Sequence, residues 1–239
     1  MLKHVLVGPW LRVLFRPWVE GAENFPLSGP AIAASNHLSF SDSFFFPLMV
    51  PRHITFLAKS DYFTGRGLKG KLTAAFFRAV HQVPVDRSGG RASEAAITTG
   101  LRVLSEGNIL GIYPEGTRSP NGIMYRGRTG VARMALESQD PVIPIAMINT
   151  FEMQPPEQVI PSLRRVGIRI GQQMDFSRYE GLEDDRFILR SVTDEIMYEL
   201  MSLSGQEYVD MYATRAKELI GAGESAGSDA LVHAEQPNP

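Results

Sequence analysis

The chain has 239 residues, 44% hydrophobic and 21% charged, which is enough for one well-packed globular domain. It contains no cysteine, which excludes disulfides, thiolate zinc sites and cysteine nucleophiles. Residues 1–179 hold 20 lysines and arginines against 13 acidic residues, whereas residues 180–239 hold 4 against 13. A basic body favours an anionic partner, such as a phosphorylated substrate, a membrane surface or nucleic acid, although such a bias more often marks a solvated face.

The first 20 residues mix apolar side chains with Arg12 and Arg16, and they contain both tryptophans of the chain, Trp10 and Trp18. Prolines and arginines interrupt this stretch, so it is neither a membrane-spanning helix nor a convincing signal peptide. We predict that residues 1–20 form an amphipathic segment that associates with a membrane. A helix that packs on the domain is the alternative.

Short apolar runs typical of β-strands follow, and they alternate with stretches of helical periodicity. The predicted strands are 31–35, 54–58, 82–85, 109–113, 142–148 and 166–170, and the predicted helices are 43–50, about 67–79, 91–105, 129–138 and one or two within 183–219. Apolar strands separated by helices predict an α/β layered fold with a largely parallel or mixed sheet flanked by helices. A single domain is expected over residues 21–220, followed by a disordered tail, residues 221–239, rich in Gly, Ala, Ser and Pro.

The segment ASNHLSFSDSFFFP, residues 34–47, places His37 and Asp42 five positions apart among apolar side chains. A buried charge is costly unless it is paired, and the same pair is typical of a general base and the carboxylate that orients it. On one continuous helix the two side chains would lie about 140° apart and would not meet. They can meet if His37 lies in a loop and Asp42 in the first turn of the next helix.

Other polar side chains follow other predicted strands. The segment YPEGTRSP, residues 113–120, has the composition of a turn, and it carries Glu115 and Arg118 beyond the strand 109–113. Arg87 and Lys59 come after two further strands. Because functional residues of α/β sheets gather where strands end, we expect these side chains at one edge of the sheet.

These segments, in this order, resemble the motifs of the glycerolipid acyltransferase family, which includes the 1-acyl-sn-glycerol-3-phosphate O-acyltransferases. The resemblance extends from about residue 18 to residue 190. The matching blocks are the N-H-x4-D motif at Asn36–Asp42, Val85–Arg87, Glu115–Arg118 and Val142–Ile145. The second block departs from the family pattern, because His81 and Gln82 stand where a glycine usually precedes the Asp-Arg pair.

The resemblance implies a direct transfer in which His37 takes the proton of an acceptor hydroxyl as this oxygen attacks an acyl thioester. Asp42 would hold the imidazole tautomer and stabilise the imidazolium. Arg118 would bind the acceptor phosphate, and Arg87 and Lys59 are further candidates for this contact. Glu115 would orient Arg118 or an acceptor hydroxyl. Substrate orientation is thereby assigned to Glu115, Gly116 and Thr117.

The acyl donor implied by the resemblance is acyl-CoA, with acyl carrier protein as an alternative, and the acceptor is monoacylglycerol-3-phosphate, which becomes phosphatidic acid. Glycerol-3-phosphate or another lysophospholipid is an alternative acceptor, and a non-catalytic lipid-surface protein is an alternative function. We expect no cofactor besides the acyl-CoA co-substrate, no metal, and no nucleic-acid partner. Lipid substrates and basic residues at 66–78 predict a peripheral or monotopic location on the cytoplasmic face of a membrane.

Overall fold

The computed structural model describes residues 8–65, 67, 70, 75, 82–85 and 92–226. The strands in these ranges are β1 (Trp18–Glu20), β2 (Ala31–Ser35), β3 (Ile54–Lys59), β4 (Gln82–Val85), β5 (Ile109–Ile112), β6 (Met124–Tyr125), β7 (Val142–Ile148), β8 (Gly167–Ile170) and β9 (Tyr208–Val209). The α-helices are α1 (Gly8–Phe15), α2 (Asp42–Met49), α3 (Asp61–Thr64), α4 (Ala92–Ser105), α5 (Gly130–Ser138), α6 (Thr150–Met153), α7 (Arg186–Ser204) and α8 (Ala213–Gly221). Short 3-10 helices lie at Ala22–Asn24 and Ser177–Tyr179.

A mixed sheet of seven strands, in the order β1-β8-β7-β2-β5-β3-β4, forms the centre of the domain. The five strands from β7 to β4 are mutually parallel, whereas β8 runs antiparallel to β7 and β1 runs parallel to β8. The carboxyl ends of five strands therefore share one edge, with β2 between β5 and β7. This arrangement confirms the predicted α/β fold with a mixed sheet.

Both faces of the sheet are covered, which explains why its strands are uniformly apolar. Successive residues of a strand point to opposite faces, and accordingly Ala33 and Ile32 of β2 belong to different cores. Ala33 packs in a core that includes Phe15 of α1 and Phe45 of α2. Ile32 packs in a second core, to which α4, α5 and α7 contribute. Burial on both faces fixes the register of β2, because a slip of one residue would exchange the two cores.

The predicted strands are present, with ends that agree within one residue. The predicted helices at 43–50, 91–105 and 129–138 correspond to α2, α4 and α5, and α7 and α8 occupy the predicted closing segment. The helix predicted over about 67–79 lies mostly outside the described residues. Pattern analysis missed β1, β6 and β9, since two or three residues are too few to show a period of two.

The two ends of the domain differ from the predicted boundaries. Trp18 was assigned to the amphipathic segment, but it begins the edge strand β1 and packs so closely on Gly167 that a Cβ there would lie 2.1 Å from its ring. Beyond α8, Ala226 is buried and its carbonyl accepts a 2.9 Å hydrogen bond from the hydroxyl of Tyr125. The packed domain therefore continues past residue 221, where the tail was predicted to begin; residues 227–239 lie outside the described residues.

Candidate active site

His37 and Asp42 meet at the carboxyl end of β2. The Nδ1 atom of His37 lies 2.9 Å from Oδ2 of Asp42, and the His37 side chain is 17% exposed while that of Asp42 is fully buried. His37 lies in the loop after β2, and Asp42 is the first residue of α2. A carboxylate at Nδ1 favours the tautomer with its proton on Nδ1, so Nε2 is left as the basic nitrogen.

The same oxygen of Asp42 also closes the loop that carries His37. Oδ2 accepts hydrogen bonds of 2.8 Å from the backbone N–H groups of Leu38 and Ser39. Three donors on one carboxylate oxygen hold the loop against the first turn of α2, where the helix dipole also favours negative charge. A single buried carboxylate thus sets the backbone of residues 37–42 and the orientation of the imidazole.

Tyr113, the residue that follows β5, packs on the imidazole. Its ring lies parallel to that of His37, with centroids 3.9 Å apart and an interplanar angle of 11°, and the ring of Phe56 also stacks with it, with centroids 5.4 Å apart. Burial, reinforced by the charge of Asp42, raises the pKa of Tyr113 well above its ordinary value, so the phenol stays neutral. The sequence analysis assigned no role to Tyr113, although it lies two residues before the third motif.

The turn at 115–118 is hydrogen-bonded to the backbone of His37. Oε1 of Glu115 accepts from the N–H of His37 at 3.4 Å, and the N–H of Ser119 donates to the carbonyl of His37 at 2.8 Å. Gly116 has a φ of 76°, a left-handed conformation that favours glycine, and its N–H donates to the carbonyl of Tyr113 at 2.9 Å. The turn after β5 and the loop after β2 therefore form one hydrogen-bonded unit.

Glu115 is 1% exposed, and Oε2 accepts a 3.0 Å hydrogen bond from the N–H of Tyr125. Burial raises the pKa of Glu115 to about 8 from an ordinary value of 4.5, although its bonds from Tyr125 and His37 lower it. The predicted role, in which Glu115 orients Arg118 or an acceptor hydroxyl, stays a prediction. The carboxyl group binds the backbone N–H of His37, and at neutral pH it carries less negative charge than an exposed glutamate.

Cations surround the outer side of this turn. Nζ of Lys217, on α8, donates to Oγ1 of Thr117 at 2.5 Å, and Arg128 lies so close to Gly116 that a Cβ there would be 3.0 Å from its Nε. Burial lowers the pKa of Lys217, and the charge of Arg118 lowers it further. Within the described part of the chain, no ion pair joins Arg118 or Lys217 to a carboxylate. The turn therefore carries positive charge, which the buried carboxyl of Glu115 compensates only in part.

The other two predicted phosphate contacts follow strands farther from β2. Lys59 is the last residue of β3, two strands from β2, and only its backbone is described. Arg87 lies outside the described residues, and the strand that precedes it, β4, is the edge strand three positions from β2. At about 4.8 Å between neighbouring strands, β3 and β4 lie roughly 10 Å and 14 Å from β2. Arg118, on the loop of the adjacent strand β5, has the position nearest to His37.

Two buried amides connect the His37 loop to the end of β7. Oδ1 of Asn36 accepts from the N–H of Met147 at 2.7 Å, and Nδ2 donates to the side chain of Gln206 at 2.6 Å. Oε1 of Gln154, just after α6, accepts from the hydroxyls of Ser39 and Ser41 at 3.3 and 2.5 Å. Asn36 belongs to the first motif, but no sequence signal linked Gln154 or Gln206 to the site.

A family model described as Acyltransferase matches residues 16–148, which include His37, Asp42 and the turn at 115–118. The chain belongs to the acyltransferase family. Among its relatives is a protein from Limnanthes alba named 1-acyl-sn-glycerol-3-phosphate acyltransferase, which is 31% identical over 133 residues, covering 55% of this chain and 45% of the relative. A protein of the same name from Bacillus subtilis is 30% identical over 130 residues, covering 54% of this chain and 60% of the relative.

The human 1-acyl-sn-glycerol-3-phosphate acyltransferase alpha is 30% identical over 150 residues, which cover 62% of this chain and 49% of that protein. The chain thus spans about half of the length of the curated relatives that it matches. The crystal structure of the acyltransferase PlsC from Thermotoga maritima shares the fold, with a TM-score of 0.61 over 78% of this chain and 71% of that chain, at 24% identity. The family model thus identifies the family, and the crystal structure supports the fold.

Proposed function

We propose that this acyltransferase moves a fatty acyl group from an acyl thioester, with acyl-CoA as the donor, to the free hydroxyl of a monoacylglycerol-3-phosphate, which gives phosphatidic acid. The observation that carries the proposal is the pairing of His37 with Asp42 directly beside a turn that carries positive charge. This arrangement offers a base for a hydroxyl and an anion site for the phosphate of the same molecule. The names of the relatives support this acceptor.

In the proposed reaction, Nε2 of His37 accepts the proton of the acceptor hydroxyl while the hydroxyl oxygen attacks the thioester carbonyl. The carbon–sulfur bond of the resulting tetrahedral intermediate then breaks, and the imidazolium returns the proton to the departing thiolate. Asp42 stabilises the imidazolium between these two steps. No acyl-enzyme intermediate is required, which agrees with a chain that has no cysteine.

The acceptor phosphate would bind at the turn, between Arg118 and Lys217. The guanidinium group of Arg118 offers paired donors for phosphate oxygens, and Lys217 adds a second charge. Because the buried carboxyl of Glu115 has a raised pKa, it opposes this site less than an ionised glutamate would. Glycerol-3-phosphate and other lysophospholipids carry the same phosphate and remain alternative acceptors.

We also propose that the enzyme acts at the cytoplasmic face of a membrane, where lipid acceptors reside. None of the helices described by the structure is long and apolar enough to cross a bilayer. The outward face of α1 supports a peripheral contact, since Trp10, Val13 and Leu14 are 69%, 70% and 51% exposed and are spaced as neighbours on one helix face. Phe15 points the other way, into the core.

The proposal is tested by following thiol release from acyl-CoA with a thiol reagent, with a panel of acceptors. We expect rapid release with monoacylglycerol-3-phosphate and slow release with the corresponding monoacylglycerol, which lacks the phosphate. Acyl carrier protein loaded with the same acyl chain tests the alternative donor. A purified protein that binds these lipids but releases no thiol with any acceptor would be a non-catalytic lipid-surface protein, and the proposal would be wrong.

A further inference from the structure

Residues 155–165, here called the apolar loop, project large hydrophobic side chains into solvent. Val159, Ile160 and Leu163 are 86%, 78% and 71% exposed, and they lie within five positions of one another. Isolated exposed apolar residues are common on proteins, but a concentration of this kind marks an interaction surface. The loop plays no part in the proposed chemistry, so its exposed side chains need another explanation.

Hydrogen bonds fix the backbone of the apolar loop with these side chains directed outward. Nε2 of Gln154 donates to the carbonyl of Val159 at 2.9 Å, and the N–H of Ser162 donates to the carbonyl of Met153 at 2.8 Å. Nε2 of Gln158 donates to the hydroxyl of Ser162 at 3.0 Å. The exposure of the apolar side chains is therefore built into the backbone conformation.

The apolar loop connects two parts of the molecule that the proposed function already uses. At its start, Gln154 accepts from Ser39 and Ser41 in the loop that carries His37. At its end, Nε of Arg165 donates to the carbonyl of Arg16 at 3.2 Å, immediately after α1. The exposed face of α1 and the apolar loop thus belong to one side of the molecule, which leads to the candidate active site.

The charges around this surface favour an anionic bilayer as the partner. Arg12, Arg16, Arg164 and Arg165 are all exposed, and Glu157 is the one acidic residue within 8–17 and 155–165. A second copy of the chain docked through the same surface would bring these arginines together, which is unfavourable in a symmetric dimer. Apolar side chains flanked by arginines match the apolar interior and anionic headgroups of a membrane.

We propose that the apolar loop is a second membrane contact, which inserts Val159, Ile160 and Leu163 among the lipids of an anionic bilayer beside α1. The inference rests on the proposed function in one respect, because it expects the bilayer to contain a lipid acceptor. When α1 and the apolar loop both contact the bilayer, the loop that carries His37 faces the membrane surface in which such an acceptor lies. Vesicle binding is measured without donor or acceptor, so its outcome is independent of whether acyl transfer occurs.

The absence of cysteine allows a direct test on the full chain. Ile160→Cys is labelled with an environment-sensitive fluorophore and mixed with vesicles of phosphatidylcholine and phosphatidylglycerol. We expect a blue shift that is weaker with pure phosphatidylcholine and that decreases with added salt. Leu27→Cys is the matched control, because Leu27 is 80% exposed but precedes β2, at the opposite end of the strands. An Ile160 probe that does not respond to bound vesicles would overturn the proposal.

A second test uses the combined variant Val159→Ser, Ile160→Ser and Leu163→Ser in vesicle flotation. We expect its partitioning into the mixed vesicles to be at least about tenfold weaker than that of the unmodified chain. Phe187→Ser, at an 87% exposed position on α7, should bind like the unmodified chain. Unchanged binding of the combined variant would contradict the proposal, and a loss of self-association instead would identify the surface as a contact between copies.

Arg164→Glu keeps the proposal testable if the combined variant fails to fold. We expect this single change to weaken binding to the mixed vesicles several-fold and to leave binding to pure phosphatidylcholine unchanged. Equal binding of Arg164→Glu and the unmodified chain to both vesicle types would count against a membrane contact at this loop. Acyl transfer to a short-chain, water-soluble acceptor should be normal in each of these variants.

Discussion

The two loops that meet at the candidate active site are stabilised in different ways. In the loop at 36–42, one carboxylate oxygen of Asp42 binds His37 and two backbone N–H groups, so this buried charge is held by three contacts. In the turn at 115–118, Glu115 is similarly bound, but within the described residues neither Arg118 nor Lys217, which donates to Thr117, forms an ion pair with a carboxylate. In the proposed function, the first loop would move the proton and the second would bind the phosphate of the acceptor.

The largest effect is expected in the first loop. Replacing His37→Ala removes the base and should lower kcat by roughly 10²- to 10⁴-fold, with folding retained and the KM of the acceptor little changed. Steady-state thiol release measures kcat and KM, and circular dichroism measures folding. Asp42→Asn is the companion variant, because an amide cannot stabilise the imidazolium, and it should also lower kcat. A His37→Ala protein with near-normal kcat would eliminate the proposed mechanism.

A smaller effect on a different constant is expected in the second loop. Replacing Arg118→Ala removes a charge-assisted contact of about 1.5–3 kcal/mol and should raise the KM of the phosphorylated acceptor roughly 10- to 150-fold. The KM of acyl-CoA should remain nearly unchanged. The matched control is Arg178→Ala, an exposed arginine that is paired with Glu195. An unaltered acceptor KM would move the phosphate site toward Lys59 or Arg87.

Substitutions of Lys217 test whether α8 contributes to the proposed phosphate site. Lys217→Ala should raise the acceptor KM by about two- to tenfold, and the effect should diminish in high salt, since this ammonium group is only partly buried. Lys217→Arg should restore most of the affinity. Arg215→Ala on the same helix, where Arg215 pairs with Glu218, is the control and should behave like the unmodified enzyme. If Lys217→Ala and Arg215→Ala raised the acceptor KM equally, the effect would come from damage to α8 itself.

The last effect concerns the pH dependence of stability and not the kinetic constants. Because the folded pKa of Glu115 is about 8 and its ordinary value is 4.5, the unfolded chain releases this proton at lower pH than the folded chain does. The contribution of Glu115 to the free energy of unfolding therefore falls as pH rises through this window, by on the order of a few kcal/mol.

Glu115→Gln removes this titration, so its free energy of unfolding should vary less with pH over the same window. Urea unfolding near the two ends of the window measures the difference. Glu106→Gln, at an exposed position, serves as the control. Parallel pH profiles of Glu115→Gln and the unmodified chain would show that Glu115 has no raised pKa.

The sequence predicted those features whose signals are local. The strand 31–35 is apolar on both faces because both are buried, and helix geometry alone indicated that His37 and Asp42 meet only across a loop and a first turn. Four motifs in order indicated the family. Because the sheet edge was predicted to carry the polar residues, the proximity of Glu115 and Arg118 to His37 was also foreseeable.

The features that the sequence did not reveal depend on contacts between distant segments. Lys217 lies 100 positions from Thr117, and a single lysine in an acidic segment gives no sign that it returns to the site. The role of Glu115 depends on its burial, which the composition of a turn does not show. The edge strand β1 exists because β8 pairs with it, although its three residues have no pattern of their own.

The division of labour between the two loops is tested most directly by one ratio, the kcat/KM for monoacylglycerol-3-phosphate divided by the kcat/KM for the same monoacylglycerol without its phosphate. Both acceptors have the same hydroxyl, so the ratio isolates recognition of the phosphate. We predict that His37→Ala lowers both values and leaves the ratio nearly unchanged, whereas Arg118→Ala reduces the ratio at least about tenfold. A ratio that falls in His37→Ala and stays constant in Arg118→Ala would contradict the assignment of chemistry to one loop and binding to the other.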